Sequence, residues 1–187
     1  MSKLRAIFLG LLALVTSQAV ASEWVRLDGV LFDRKNFADG DSFHAKHQGK
    51  EYIFRLYWVD TPEPKAMGLT ERTTQQARYF RIRKFELYEV AAAASAFSEK
   101  VLRHPFTVWT KWKDARGQSE QPRFYAVVRL AGGEDLADAV VKRGLARIYG
   151  EKSDHPDGRS HAQVIARLKE LEAEAKKAKL GGWSYSR

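Results

Sequence analysis

A chain of 187 residues with 32 lysines and arginines against 23 aspartates and glutamates carries a formal net charge of +9 and has no cysteine. The missing thiols exclude cysteine nucleophiles, iron–sulfur clusters and cysteine-based zinc sites. The surplus of positive charge suits a polyanionic partner, nucleic acid or an anionic membrane face, without choosing between them.

The first stretch reads as a leader and not as part of the fold. Lys3 and Arg5 precede an apolar run from Ala6 to Val15, and Ala19-Val20-Ala21 offers a small-x-small cleavage site. The run is too short to span a bilayer. Residues 1–21 are therefore expected to be removed as a signal peptide, and the protein to be exported to the periplasm or the medium without a stable membrane anchor. Residues 22–187 then form one domain, long enough to bury a full core without a metal or a disulfide. A monomer is expected.

Val25 to Arg34 alternates loosely and predicts a first strand. Ser42 to His47 and Glu51 to Val59 are β-rich runs separated by Gln48-Gly49-Lys50, a hairpin-length turn with glycine. In the second run Tyr52, Phe54, Leu56 and Trp58 share one face, and Ile53, Arg55, Tyr57 and Val59 the other. Both faces are largely apolar, so the strand is expected to be covered on both sides. Arg55 is the exception, and a covered arginine needs a carboxylate or a phosphate as partner.

Pro62 and Pro64 stop regular structure. Met67 to Arg103 reads as helix, in one piece or two, with Glu89 to Leu102 the firmer half. Two more strands, Phe106 to Lys113 and Arg123 to Leu130, flank a polar loop from Asp114 to Gln121. A short helix from Leu136 to Arg143 is followed by Gly144, placed to cap it. In the last helix Ser160 and Gln163 form a capping box, and Val164, Leu168, Leu171 and Ala175 mark an apolar stripe. Gly181-Gly182 is expected to end it. The pattern predicts a single α+β domain.

Two segments carry chemistry: Asp39-Gly40-Asp41-Ser42, and the run from Arg55 to Asp60-Thr61-Pro62-Glu63. Taken separately, each reads as a turn. Together they place carboxylates at the ends of two neighbouring strands, beside an arginine set in an apolar run. Asp41, Asp60 and a nearby carbonyl offer hard oxygen ligands in a loose arrangement, which suits calcium more than zinc. Glu63, stiffened by Pro62, stands where a carboxylate can align or deprotonate a water. The histidines form no zinc or base pattern: His44 and His47 face opposite sides of a strand, and His104, His155 and His161 are scattered over turns and a helix start.

The spaced set Asp-Gly-Asp-Ser, then Arg-x-x-x-x-Asp-Thr-Pro-Glu, resembles the staphylococcal nuclease (thermonuclease) family. Ala94-Ser95-Ala96-Phe97 is similar to the start of that family's first helix, and Arg123-Phe124-Tyr125-Ala126-Val127 to its arginine-bearing strand. Leu136 to Ile148 is similar to its second helix and exit, and Glu172 through Trp183 to its C-terminal helix. The resemblance implies an OB-fold, a five-stranded barrel with about three helices. It also implies a calcium-dependent nuclease that hydrolyses DNA, and RNA with it, and leaves 3′-phosphate ends.

Carried over position by position, Asp41 and Asp60 match the calcium-binding carboxylates, with the Thr61 carbonyl as third ligand and Asp39 close behind the metal. Arg55 and Arg123 match the phosphate-gripping arginines, and Glu63 the general base. Tyr149 matches a tyrosine that meets the nucleic acid.

The chain also departs from the family. Pro64 to Ala93 is longer than the family's loop and brings Arg78, Arg81, Arg83 and Lys84; it reads as a nucleic-acid-gripping arm or as a solvated helix. Gln121-Pro122 stands where the family has tyrosine-glycine, so Arg129 remains a second candidate for the role of Arg123. Two rival readings remain: a non-catalytic OB-fold module binding nucleic acid or protein, and a basic envelope protein in which Arg55 and the aspartates form a structural network. Removal of Asp41 or Asp60 is expected to leave the fold intact, because like charges repel there.

Overall fold

The computed structural model describes residues 23–34, 39–64, 70–115, 117 and 121–187. The expected signal peptide, the start of the expected helix at Met67 and part of the loop from Asp114 to Gln121 lie outside the described residues. In chain order the strands are β1 (Val25–Phe32), β2 (Ser42–His47), β3 (Lys50–Leu56), β4 (Val59–Asp60), β5 (Phe106–Asp114), β6 (Phe124–Arg129) and β7 (Arg147–Ile148). The helices are α1 (Glu71–Phe80), α2 (Lys84–Val101), α3 (Leu136–Lys142) and α4 (His161–Lys177), followed by a 3-10 turn at Gly181–Ser184.

Five strands close a barrel in the order β1-β2-β3-β6-β5, with β5 returning to β1. Only β3 and β6 run parallel; the other barrel neighbours are antiparallel. This is the expected α+β barrel of the OB type. β4 and β7 form a separate two-stranded ribbon beside it. No helix among the described residues is long and apolar enough to cross a membrane.

The hairpin between β2 and β3 turns on Gln48 and Gly49, both with positive φ, while His47 pairs with Lys50. Two such residues give a hairpin the twist its strands need. In β1 a register shift between Leu27 and Val30 moves the inward phase, so those two side chains fill the core. Phe43, Phe54, Leu56, Val108 and Ala126 fill the barrel, and Leu136, Val140, Leu168 and Leu171 join α3 and α4 to it. Each of these valines, leucines and phenylalanines contributes about 1.5–3 kcal/mol when fully buried.

Four helices stand where about three were expected, because the long helical stretch divides. Arg81 adopts a left-handed conformation and donates its N–H to the end of α1, and Glu86 accepts the Arg83 N–H at 2.6 Å to start α2. At the other end of α1 the Thr70 side chain accepts from the Thr73 N–H and completes a capping box.

The strand expected to run from Glu51 to Val59 breaks after Leu56. Trp58 has φ 66, and the Val59 N–H turns back to the Tyr57 carbonyl at 2.9 Å. The Trp58 indole donates to the Ser153 carbonyl at 2.9 Å, and its ring stacks on His155 at 5.8 Å, which holds the bend. Tyr57, Trp58 and Val59 are consequently all buried and do not alternate. The bend also carries Asp60 off the barrel wall and onto β7.

In α4 the Ser160 hydroxyl accepts the Gln163 N–H and the Gln163 side chain accepts the Ser160 N–H, as expected, and the four-residue apolar stripe is buried. The helix ends at Lys177, ahead of Gly181-Gly182, and the left-handed residue that stops it is Lys179. The later glycines serve close approach instead. Gly144, capping α3 as expected with φ 66, lies so near the Leu180 carbonyl oxygen that a Cβ there would sit 2.2 Å from it.

Candidate active site

The site is built where the turn before β2, the exit of β3 and helix α1 meet. In the turn, Gly40 has φ 92, and a Cβ on it would lie 3.1 Å from Ala94 and from Thr61. The Ser42 N–H donates to Asp39 Oδ1 at 2.7 Å, the Ser98 hydroxyl on α2 donates to the Gly40 carbonyl at 2.7 Å, and the Thr61 hydroxyl donates to the Asp39 carbonyl. The Leu56 N–H binds the Asp41 carbonyl at 2.8 Å. Four ties therefore fix the backbone that carries Asp41. Its buried carboxylate accepts from Arg55 Nη2 and from the Thr61 N–H, each at 3.1 Å.

Asp60 is the hub. β4 pairs with β7 so that Asp60 stands opposite Arg147, whose Nε donates to Asp60 Oδ2 at 2.7 Å. Gln76 Nε2 donates to the same oxygen at 2.8 Å and to the Thr61 carbonyl at 2.9 Å. Arg55 Nη2 donates to Asp60 Oδ1 at 2.9 Å, and Arg72 Nη2 donates to that oxygen as well. Arg72 also reaches Glu63 Oε1 through Nη1 at 2.8 Å, and the Glu63 N–H donates to Gln76 Oε1 at 3.3 Å. Four donors thus occupy the lone pairs of one buried carboxylate.

The charges are unevenly matched. Burial pushes the Asp60 carboxyl up, but Arg72, Arg147, Gln76 and Arg55 outweigh it and hold the group below the usual carboxylate range. Burial lifts Asp41 well above that range, with Asp39 and Asp60 adding to the lift against Arg55. Asp39 is raised by burial and by Glu63, and Glu63 by burial and by Asp41 and Asp60 against Arg72. Three arginines converge on Asp60, whereas burial outweighs the single arginine contact of Asp41 and of Glu63.

A cleft of 610 Å³ opens over this cluster, and Arg55, Arg72, Arg123, Arg147, Tyr125 and Tyr149 line it. Arg123 lies just ahead of β6, where its Nε donates to the Ala115 carbonyl at 2.9 Å and its Nη1 lies 3.4 Å from the Ser42 hydroxyl. Arg129, the alternative, is locked to Asp135 by two hydrogen bonds of 3.0 and 3.3 Å and is not among the residues lining the cleft. The geometry therefore favours Arg123.

The donor set fits a hard cation. The Asp41 and Asp60 carboxylates approach the same guanidinium nitrogen of Arg55, so their oxygens converge, and the Thr61 carbonyl follows directly. Among the described residues no group of three histidine, cysteine, aspartate or glutamate side chains stands ready for a metal. A cation here would draw on the Asp41 and Asp60 carboxylates and on the Thr61 carbonyl, which now accepts from Gln76 Nε2 at 2.9 Å, an oxygen-only set of the kind calcium takes. Coordination through Asp60 requires one of its four donors to withdraw, and Arg72 is the most exposed of the three arginines, at 38% of its side chain.

The structure thus gathers Asp39, Asp41, Arg55, Asp60, Thr61, Glu63 and Arg123 at one rim, with Tyr149 at the edge of the cleft. It sets Arg78, Arg81, Arg83 and Lys84 apart. They border a groove at the α1–α2 junction, roughly 13 Å along the helix axis from its start near Arg72. Arg83 is paired with Glu86 there. The insert is more than a solvated helix: Thr73, Gln76, Ala77 and Phe80 of α1 are buried, and its first turns deliver Arg72 and Gln76 to the carboxylates.

Arg72, Gln76 and Arg147 were not singled out from the sequence. Arg147 carried a readable signal, since it interrupts the apolar run Leu145-Ala146-Arg147-Ile148 as Arg55 interrupts its own. Arg72 and Gln76 lie four apart on a polar helix and carried none.

The five-stranded OB-type barrel gathers carboxylates and guanidinium groups at one rim, and the family model that the chain matches makes this a nuclease-type fold. The chain belongs to the family of staphylococcal nuclease homologues, whose model matches residues 53–185, and members of that family are usually nucleases. Asp39 and Asp41 precede the matched segment and are joined to it by the contacts from Arg55 and Thr61.

Proposed function

We propose that the chain is a calcium-dependent endonuclease that hydrolyses phosphodiester bonds in DNA and RNA and leaves 3′-phosphate and 5′-hydroxyl ends. The observation that carries this reading is the convergence of Arg55, Arg72 and Arg123 on one cleft, with Arg55 and Arg72 ion-paired to Asp41, Asp60 and Glu63. Attack on a diester adds negative charge around phosphorus. Preorganised guanidinium groups in a partly dry cleft stabilise that charge more than they stabilise the ground state. Asp41, Asp60 and the Thr61 carbonyl would hold the calcium ion, with Asp39 behind them, and the bound ion would supply further positive charge beside the phosphate.

Glu63 takes the proton of the attacking water. Burial raises its affinity for that proton, while the ion pair with Arg72 fixes the direction of the carboxylate. Arg123 stabilises charge and gives up no proton, as a guanidinium does not titrate in the working range. Tyr149 lies at the rim, 59% exposed, with the Arg147 guanidinium 4.3 Å from its ring centroid, and stacks on a base. Export after cleavage at Ala21, and action as a monomer, complete the reading.

Arg72→Gln is expected to lower kcat on single-stranded DNA about a hundredfold and the KM much less, since the loss falls on the charge of the reacting phosphate and the aim of Glu63. Steady-state kinetics reads this, and a parental kcat in the variant removes α1 from the chemistry. Arg78, Arg81, Arg83 and Lys84 are assigned to contacts with the backbone of longer strands. Neutralising all four is expected to flatten the slope of log affinity against log salt by up to about 0.7 per lost contact with a single strand. An unchanged slope places them outside the interface.

The non-catalytic reading keeps one observation in its favour, the complete occupation of Asp60 by the protein's own donors. Calcium titration followed by tryptophan fluorescence or calorimetry separates the two, because a purely structural network does not respond to the ion.

A further inference from the structure

Helix α1 brings two polar side chains to Asp60, and the two are held very differently. Gln76 is fully buried and ties three neighbours together. Its Nε2 donates to Asp60 Oδ2 and to the Thr61 carbonyl, and its Oε1 accepts the Glu63 N–H. Arg72 lies one turn earlier on the same face of the helix, borders the cleft and keeps 38% of its side chain exposed. Of the two, Arg72 alone meets solvent.

Arg72 is also poorly settled where it stands. Its Nη2 donates to Asp60 Oδ1, the oxygen that Arg55 Nη2 already binds at 2.9 Å, so two guanidinium charges crowd one atom. Its Nε is buried without a hydrogen-bond partner, so the docked position leaves a donor unsatisfied. Its other contact, Nη1 to Glu63 Oε1 at 2.8 Å, is made apart from Asp60. Leaving Asp60 therefore gives up one contact, relieves a like-charge repulsion and frees the orphaned N–H for water.

We infer that Arg72 is a built-in competitor for the calcium ion. It covers Asp60 Oδ1 in the metal-free protein, lowers the affinity of the site for the ion, and moves off when the ion binds. Gln76 stays and keeps Asp60 Oδ2, Thr61 and Glu63 in place. This rests on the calcium reading of the site and adds to it the residue that sets how much calcium the protein needs. Displaced from Asp60, Arg72 keeps Glu63 as a partner and still faces the cleft, so the same side chain serves the metal-free protein and the reaction in turn.

The test is calorimetric titration of the whole chain with calcium chloride and no nucleic acid, which reads affinity apart from cleavage. Arg72→Met removes the charge and keeps an aliphatic stem. It is expected to tighten calcium binding about tenfold, the effect of taking one unit charge from beside a divalent ion in a solvated site. Arg72→Lys keeps a charge but not the fork, and is expected to fall between the parent and Arg72→Met. Arg78→Met makes the same change of net charge further along α1, at a residue with no ion pair among those described, and is expected to bind calcium as the parent does. The calcium-induced rise in the urea midpoint repeats the comparison by a second route and is expected to be largest for Arg72→Met at a fixed ion concentration. Parental or weaker binding by Arg72→Met overturns the competitor and leaves the calcium site standing. Equal gains from Arg72→Met and Arg78→Met overturn it too, because net charge alone then accounts for both. If neither the parent nor Arg72→Met binds calcium, the calcium reading falls and the competitor with it.

Discussion

Glu63→Gln is expected to lower turnover by about two to four orders of magnitude while binding of an uncleaved oligonucleotide changes little. The substitution keeps the size and one acceptor oxygen, so the Arg72 contact at 2.8 Å can survive in weakened form. What disappears is the basic oxygen that accepts the water's proton. Glu63 is buried at a strand exit with no apolar packing role of its own, and its backbone N–H is already satisfied by Gln76. The fold should therefore tolerate the change, and an unaltered urea midpoint would confirm that the loss is chemical. A Glu63→Gln protein that cuts at the parental rate rules out its role as base.

Asp41→Asn and Asp60→Asn are both expected to abolish calcium-supported activity, yet to differ sharply in stability. The sequence suggested that either aspartate could be removed without harm, since both were read as repelling carboxylates. The structure separates them. Asp41 is held uncomfortably: burial and two neighbouring carboxylates already favour its protonated form, and an amide keeps the acceptor that the Thr61 N–H needs. Its replacement is expected to shift stability by no more than about 1 kcal/mol, in either direction. Asp60 balances three arginines, one of them the buried Arg147. Its neutralisation leaves Asp41 and Glu63 to Arg55 and Arg72 but takes away the carboxylate that the buried Arg147 pairs with, and is expected to cost about 3–5 kcal/mol. Equilibrium unfolding in urea, run without metal on both variants, reads the difference; equal stability of the two would contradict the hub role given to Asp60.

The elements that the sequence made legible were those set by local rules. β-rich runs on either side of Gln48-Gly49 marked β2 and β3, that turn fixed their register, and Ser160 with Gln163 opened α4 where the structure opens it. The arginine in an apolar run pointed to an ion-paired group, and Arg55 does bridge Asp41 and Asp60. What stayed hidden depends on long-range contact. The break after Leu56 is imposed by Trp58 reaching Ser153, 95 residues away in the chain, which no local pattern records. The end of α4 was misread for a related reason: glycines at 181 and 182 look like helix stops, but they serve the approach of the chain to Arg143, Gly144 and Phe80, while a lysine takes the left-handed position.

The site was legible in its strand-borne half and hidden in its helix-borne half. Asp-Gly-Asp-Ser and Asp-Thr-Pro-Glu sit in turns whose residue types are unusual enough to notice, and the family resemblance placed them. Arg72 and Gln76 sit on an ordinary polar helix, where arginine and glutamine are common for reasons of helix propensity alone. Only the docking of α1 against β4 shows that two of its side chains complete the coordination of Asp60 and aim Glu63.

The central claim, that this rim is a calcium-dependent catalytic site, is tested most directly by digesting single-stranded DNA with the purified protein, first with millimolar calcium and then with excess chelator. The account predicts cleavage with calcium to products that carry 3′-phosphate and 5′-hydroxyl ends, and no cleavage once the ion is removed. Full cleavage in excess chelator would contradict the metal assignment, and a protein that binds the strand with calcium present but never cuts it would contradict the enzyme itself.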